Sequence, residues 1–152
     1  DVCSSDLRKI NYIVVHCSAT REGCTLTSEA LEAEHRRRGF RTTGYHYYIR
    51  RDGTVLGTRS LELPGAHCRG HNKYSIGICY EGGLDARGNP KDTRTPEQRS
   101  ALHLLVYQLL QQFRNARVCG HRDLSPDLDG DGTVEPWEWV KQCPCFEVSK
   151  QF

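Results

Sequence analysis

The run Ile10-Asn11-Tyr12-Ile13-Val14-Val15-His16 constrains the fold most. It is apolar and rich in β-branched side chains, so it reads as a buried strand, and it ends on a histidine. Helices and further strands alternate after it. Ser28 to Arg38 is rich in Ala, Leu, Glu and Arg and stops at Gly39, as a helix with a glycine cap does. Gly44 to Arg50 is an aromatic-rich strand, and Arg51-Asp52-Gly53 turns it into Thr54 to Gly57 to make a hairpin. Ser75 to Tyr80 is another strand. Thr95-Pro96-Glu97-Gln98 combines a threonine N-cap, a proline in the first turn and a glutamine three residues after the cap. That helix should run to about Phe113, with Leu102, Leu105, Val106, Leu109 and Leu110 on its buried face. Val118 to His121 is a short strand ending in a second histidine, and a helical turn is expected over Trp137 to Gln142. This alternation predicts an α/β fold: one domain with a mixed central β-sheet flanked by helices.

No repeat, low-complexity tract or linker divides the 152 residues. The folded domain is expected over 10–148, with 1–9 as an N-terminal extension outside the fold and 149–152 as a C-terminal tail. The 21 basic and 19 acidic side chains leave a net charge of +2, which is no nucleic-acid footprint. No run approaches the ~18 apolar residues of a bilayer span, and Asp1 to Lys9 lacks the apolar core of a signal peptide. The expectation is therefore a monomer without nucleic-acid or membrane partners, cytoplasmic or mature as it stands. Among the eight cysteines, Cys17, Cys79 and Cys119 sit inside apolar strand-like runs, which favours free buried thiols over a disulfide framework.

The two strand-ending histidines, His16 and His121, stand where ligands collect in open α/β sheets. A third metal-ligating residue is available in Cys143-Pro144-Cys145-Phe146. Two imidazoles and one thiolate leave a fourth zinc position open, which is the catalytic arrangement. On spacing alone, Cys143 and Cys145 compete for the thiolate.

The order of short motifs adds a resemblance. His16-Cys17-Ser18-Ala19-Thr20, Gly44-Tyr45-His46-Tyr47-Tyr48-Ile49 and Arg51-Asp52-Gly53-Thr54-Val55 come first. They are followed by His67-Cys68-Arg69-Gly70-His71-Asn72, Ser75-Ile76-Gly77-Ile78, Gly120-His121-Arg122-Asp123 and Cys143-Pro144. The chain resembles the type-2 N-acetylmuramoyl-L-alanine amidases, a family that includes small phage lysozymes of amidase type and has the peptidoglycan recognition proteins as relatives. The resemblance implies His16, His121 and Cys143 as ligands of a catalytic zinc, the Cys-Pro step favouring Cys143 over Cys145. It implies Tyr45 and Lys141 as catalytic residues, and His67 and Asn72 as residues lining a groove for the stem peptide. It also implies peptidoglycan as substrate, and cytoplasmic protein released to act on the wall. Either Tyr45 or Lys141 could mediate protonation of the leaving amine. His46 should face away from Tyr45 in a structural role. For Asp123 two readings stand, support for a zinc histidine or a loop cap.

The chain departs from the small phage enzymes between His121 and Cys143, which are 22 positions apart. The extra length contains Asp127-Leu128-Asp129-Gly130-Asp131-Gly132-Thr133-Val134-Glu135-Pro136-Trp137-Glu138. This matches a calcium loop in its acids at positions 1, 3 and 5, glycine at 6 and glutamate at 12, and a structural calcium at 127–138 is one expectation. The other is an acidic surface turn built on two Asp-Gly steps, since Pro126 and Pro136 oppose two full flanking helices. Two rival functions follow, a peptidoglycan-binding module without catalysis and a calcium-regulated protein. Loss of the cysteine ligand or the tyrosine would mark the first, and both residues are present.

Overall fold

The computed structural model describes residues 8–152. In chain order the main elements are β1 (Tyr12–Cys17), β2 (Thr20–Arg21), α1 (Ser28–Arg37), β3 (Tyr47–Ile49), β4 (Val55–Gly57), β5 (Ser75–Tyr80), β6 (Gly83–Leu84), α2 (Pro96–Gln112) and β7 (Arg117–Gly120). Five of the strands form one mixed sheet in the order β4-β3-β5-β1-β7. Only the β3–β4 hairpin is antiparallel; β1 runs parallel to β5 and β7, and β3 parallel to β5. β2 and β6 pair as a small separate ribbon. The expected mixed α/β sheet is the architecture found.

Strand alternation divides the core. Ile13 and Val15 of β1 face one side with Ile49, Ile76, Ile78 and Tyr80, where Leu102, Leu105, Val106 and Leu109 of α2 cover them. Each large aliphatic side chain buried there contributes about 1.5–3 kcal/mol. α2 begins as its sequence prescribes: Gln98 N donates to Thr95 Oγ1 and Thr95 N donates to Gln98 Oε1. On the opposite face Leu31 of α1 packs against Tyr48 and Cys79. His16 is paired with Cys79, and Cys79 with Tyr48, so His16 belongs to this second face.

Several expected boundaries move for identifiable reasons. The strand expected over Gly44 to Arg50 is ladder-paired only from Tyr47 to Ile49. Gly44 N is taken by His35 Nδ1 (2.7 Å), and the Tyr45 carbonyl accepts from the hydroxyls of Thr43 and Thr58. His121 lies outside its strand, opening a 3-10 turn at His121–Leu124. The helical turn expected over Trp137 to Gln142 is a 3-10 turn at Pro136–Glu138. The 1–9 boundary is late at its end: the Arg8 guanidinium donates to the carbonyls of Leu61 (2.9 Å), Lys73 (3.1 Å) and Ser75 (3.2 Å). The remainder of that segment, 1–7, lies outside the described residues. The 149–152 tail is docked rather than free, with Gln151 Oε1 accepting from Arg94 (3.0 Å) and the Phe152 ring 4.6 Å from that of His103.

Glu81, just past β5, ties the sheet to the loops around it. Its carboxylate is buried and accepts from Leu26 N (2.7 Å), Arg50 Nε (2.9 Å) and Arg51 N (3.0 Å). Burial by itself raises the pKa of this acid, but those three donors outweigh it and hold it below the usual carboxylate range. A depressed carboxylate stabilises the fold above its unfolded value of about 4.3, and the contribution is lost as pH falls through the folded value. Glu81→Gln should cost about 1.5–3 kcal/mol at pH 7, the scale of hydrogen bonds to a charged group. It should also flatten the fall of melting temperature with pH below about 4.3. Thermal melts of both proteins from pH 7 to pH 3 check this, and parallel curves would contradict it.

Candidate metal centre

Parallel pairing explains why residues far apart in sequence meet. Val15 pairs with Gly120 across β1 and β7, so His16 and His121 leave the same end of neighbouring strands. Their rings lie 4.5 Å apart. The loop carrying Cys143 returns to the same end, held by Arg122 N donating to the Cys143 carbonyl (2.9 Å) and by Tyr80 donating to the Pro144 carbonyl (2.6 Å). One ligand atom each from His16, His121 and Cys143 lies within 4.8 Å of the other two. Cys17 N donates to Cys143 Sγ (3.2 Å), a contact that suits a sulfur carrying negative charge. Cys145 turns elsewhere, its sulfur 4.0 Å from that of Cys17. Contact with Cys143, together with burial, pushes the Cys17 thiol up to about 12, so it stays protonated. All seven cysteines among the described residues are free.

His16 is buried, and burial first, then the charges of His67, His121 and Lys141, holds its pKa well below 6.5. A neutral imidazole is the form that binds a metal. The Tyr45 ring stands 5.1 Å from that of His16 and 5.4 Å from that of His35. Burial raises the Tyr45 phenol well above 10, which keeps its hydroxyl a donor. Tyr45, Lys141, His16, His121 and Cys143 line one recess of about 210 Å³. The recess adjoins a groove of about 980 Å³, with which it shares His67, His121 and Lys141.

The model of the N-acetylmuramoyl-L-alanine amidase family matches residues 6–144. The chain belongs to the N-acetylmuramoyl-L-alanine amidase family. It is 35% identical to an endolysin of Klebsiella phage KP32 over 94% of this chain and 85% of that one. Its fold is similar to that of the N-acetylmuramoyl-L-alanine amidase LysC from Clostridium intestinale (TM-score 0.71, 26% identity, 94% of this chain and 80% of that one). The fold is likewise similar to that of PGRP-SA from Apis mellifera (TM-score 0.69, 22% identity, 93% and 80%).

In this family member the two expected groove residues line the groove with their polar atoms turned inward. Asn72 Oδ1 accepts from His67 N and Cys68 N, both at 2.9 Å. His67 is 9% exposed; its Nδ1 lies 2.8 Å from His16 Nε2 and its Nε2 lies 3.1 Å from Ser75 Oγ. Burial pushes its pKa down to about 3. His46 is wholly buried and structural, its Nδ1 accepting from Gly77 N and its Nε2 contacting the Leu63 carbonyl. Asp123 is a loop cap, Oδ2 accepting from Gly120 N (2.8 Å).

Sequence reasoning did not find the contacts of His35 and Ser75, nor Arg122 stacked 3.8 Å over Trp139. Ser75 comes from β5, His35 from α1, and Arg122 and Trp139 from the segment after β7. The amidase's acidic loop closes on its own backbone. Asp127 accepts from Gly130 N and Gly132 N, and Glu138 accepts from Leu128 N, Asp129 N and Glu135 N. Sharing with the Glu138 and Asp131 carboxylates pushes Glu135 up to about 7. Ligand oxygens of Asp127, Asp129 and Asp131 do gather within 4.8 Å, as do those of Asp129, Glu135 and Glu138. With the loop closed by these hydrogen bonds, the geometry gives calcium no support beyond that gathering of acids. No helix among the described residues is long and apolar enough to cross a membrane.

Proposed function

We propose that the protein is a zinc-dependent amidase of peptidoglycan, hydrolysing the amide between the lactyl group of N-acetylmuramic acid and the L-alanine of the stem peptide. The observation that carries this reading is the convergence of His16, His121 and Cys143 within 4.8 Å, in a recess also lined by Tyr45 and Lys141. The donor set fits zinc: two imidazoles and one thiolate, with a coordination position left for water or substrate. When bound there, zinc supplies a nucleophilic hydroxide at neutral pH and a Lewis acid for the carbonyl oxygen.

The chain's own residues do the rest. As the carbonyl oxygen gains charge, the Lys141 ammonium offers it a positive charge and donors inside the recess. The Tyr45 hydroxyl, kept protonated by burial, donates to that oxygen or holds the attacking water. The leaving amine takes its proton by way of Tyr45 or Lys141. The groove beside the recess receives the stem peptide, and Arg38, Arg69 and Arg117 along it suit an anionic wall polymer. Similarity to a phage endolysin supports action on the wall after release from the cytoplasm.

Purified peptidoglycan digested by the zinc-loaded protein should release new L-alanine amino termini and no new reducing ends. Dinitrophenyl labelling of amines and a reducing-sugar assay on the same digest measure both. New reducing ends without new amines would make the enzyme a glycosidase and overturn the proposal.

A further inference from the structure

The imidazole of His67 is clamped from several directions. It stands edge-on to the His16 ring, at 88° and 4.9 Å between centroids. Its ring carbons lie against bare backbone: a Cβ on Gly65 would come within 2.5 Å of them, and one on Gly77 within 2.6 Å. Gly77 occupies the site face of β5 between Ser75 and Cys79, so any side chain there would occupy the ring's position. Asn72 fixes the backbone of 67 and 68 from the other side. Both ring nitrogens are engaged, Nδ1 with His16 Nε2 and Nε2 with Ser75 Oγ.

We propose that His67, held by Ser75, is the positioning residue that makes His16 a metal ligand, fixing its ring orientation and tautomer through the Nε2 hydrogen bond. The inference rests on the zinc reading above. Its proton count closes. The contact with His67 consumes Nε2 of His16, so the metal takes Nδ1. A ring bound through Nδ1 carries its proton on Nε2 and donates it to Nδ1 of His67. The His67 proton then sits on Nε2 and is donated to Ser75 Oγ. Ligating histidines generally need such a partner for their second nitrogen, and its loss typically costs 10–100-fold in metal affinity or activity. His67 therefore acts through His16 rather than on the substrate, although it lines the groove.

The test compares the parent with His67→Leu, His67→Asn and Ser75→Ala. Zinc dissociation constants are measured by competition with a chromophoric chelator, alongside kcat and KM at saturating zinc and melts of the zinc-free proteins. His67→Leu fills the clamp but leaves the His16 Nε2–H buried without an acceptor, and zinc should bind about 10–100-fold more weakly. His67→Asn carries an acceptor near the position of Nδ1 and should recover most of that loss. Ser75→Ala should weaken zinc by about tenfold, the lower end of that range, and it carries the test if His67→Leu does not fold. Unchanged zinc affinity in His67→Leu and Ser75→Ala with raised KM would make His67 a substrate-binding residue and overturn the proposal. Unchanged zinc affinity with only a lowered zinc-free melting temperature would make it a packing residue and overturn it equally. A parent protein that takes up no zinc, or takes it up unaltered after His16→Ala, would instead bring down the zinc reading and this inference with it.

Discussion

The His16→Ala and Cys143→Ala proteins are expected to lose bound zinc and to lose on the order of a thousandfold in turnover. A Lewis-acid metal provides several kcal/mol of transition-state stabilisation, at 1.36 kcal/mol per factor of ten. The two variants should fail in different ways. His16 is buried between His67, His121 and Tyr45, so its removal also leaves a hole lined by polar rings. Cys143 is half-buried at the site's edge, and its sulfur is the acceptor for Cys17 N. Cys143→Ser keeps an acceptor there but offers zinc a poor ligand, so it should fold like the parent and still lose metal. Zinc analysis of proteins purified without chelator, with turnover on solubilised peptidoglycan, reads both effects. Full zinc and full activity in either alanine variant would remove that residue from the ligand set.

The second large effect is expected at Tyr45 and Lys141. Tyr45→Phe and Lys141→Ala should each lower kcat by ~100-fold or more, the scale of losing one oxyanion donor or one acid–base group, with little change in KM. Tyr45→Phe is the cleaner variant. It removes one oxygen and keeps the ring between His16 and His35, 5.1 and 5.4 Å away, so the packing of the ligand is undisturbed. Lys141 is exposed at the mouth of both recess and groove, and its loss should cost the fold little. Unchanged kcat with raised KM in either variant would move that side chain from the transition state to substrate binding.

The features legible in the sequence were those that local physics dictates. The β-branched run ending at His16, the capping box at Thr95 and the apolar face of α2 each specify an element without help from the rest of the chain. The grouping of His16, His121 and Cys143 was legible through motif order, and the parallel, adjacent β1 and β7 bring the two histidines together, His16 within β1 and His121 just past β7. What was not legible depends on tertiary partners. The strand from Gly44 is cut short because His35 and two threonine hydroxyls take its polar groups, and of these only Thr43 is a near neighbour in sequence. His67 reads as a groove residue from its motif. Only the folded loop before β5 lays its ring over Ser75 and the bare backbone of Gly77, and only the pairing of β5 with β1 sets His16 against its Nδ1. The docking of Arg8 and of the C-terminal residues likewise follows from long-range carbonyl and ring contacts that carry no periodicity.

Zinc K-edge absorption on the purified protein is the most direct test of the central claim. The expected result is about one zinc per chain with a single sulfur ligand at about 2.3 Å and two nitrogen ligands at about 2.0–2.1 Å, the remaining scatterer being a light atom from water. The sulfur contribution should disappear in Cys143→Ser and persist in Cys145→Ser. A shell of oxygen ligands alone would contradict it, because the metal would then belong to the acidic loop at 127–138. Two or more sulfur ligands would contradict it as well, by drawing Cys17 or Cys145 into the site and closing the position that the reaction needs.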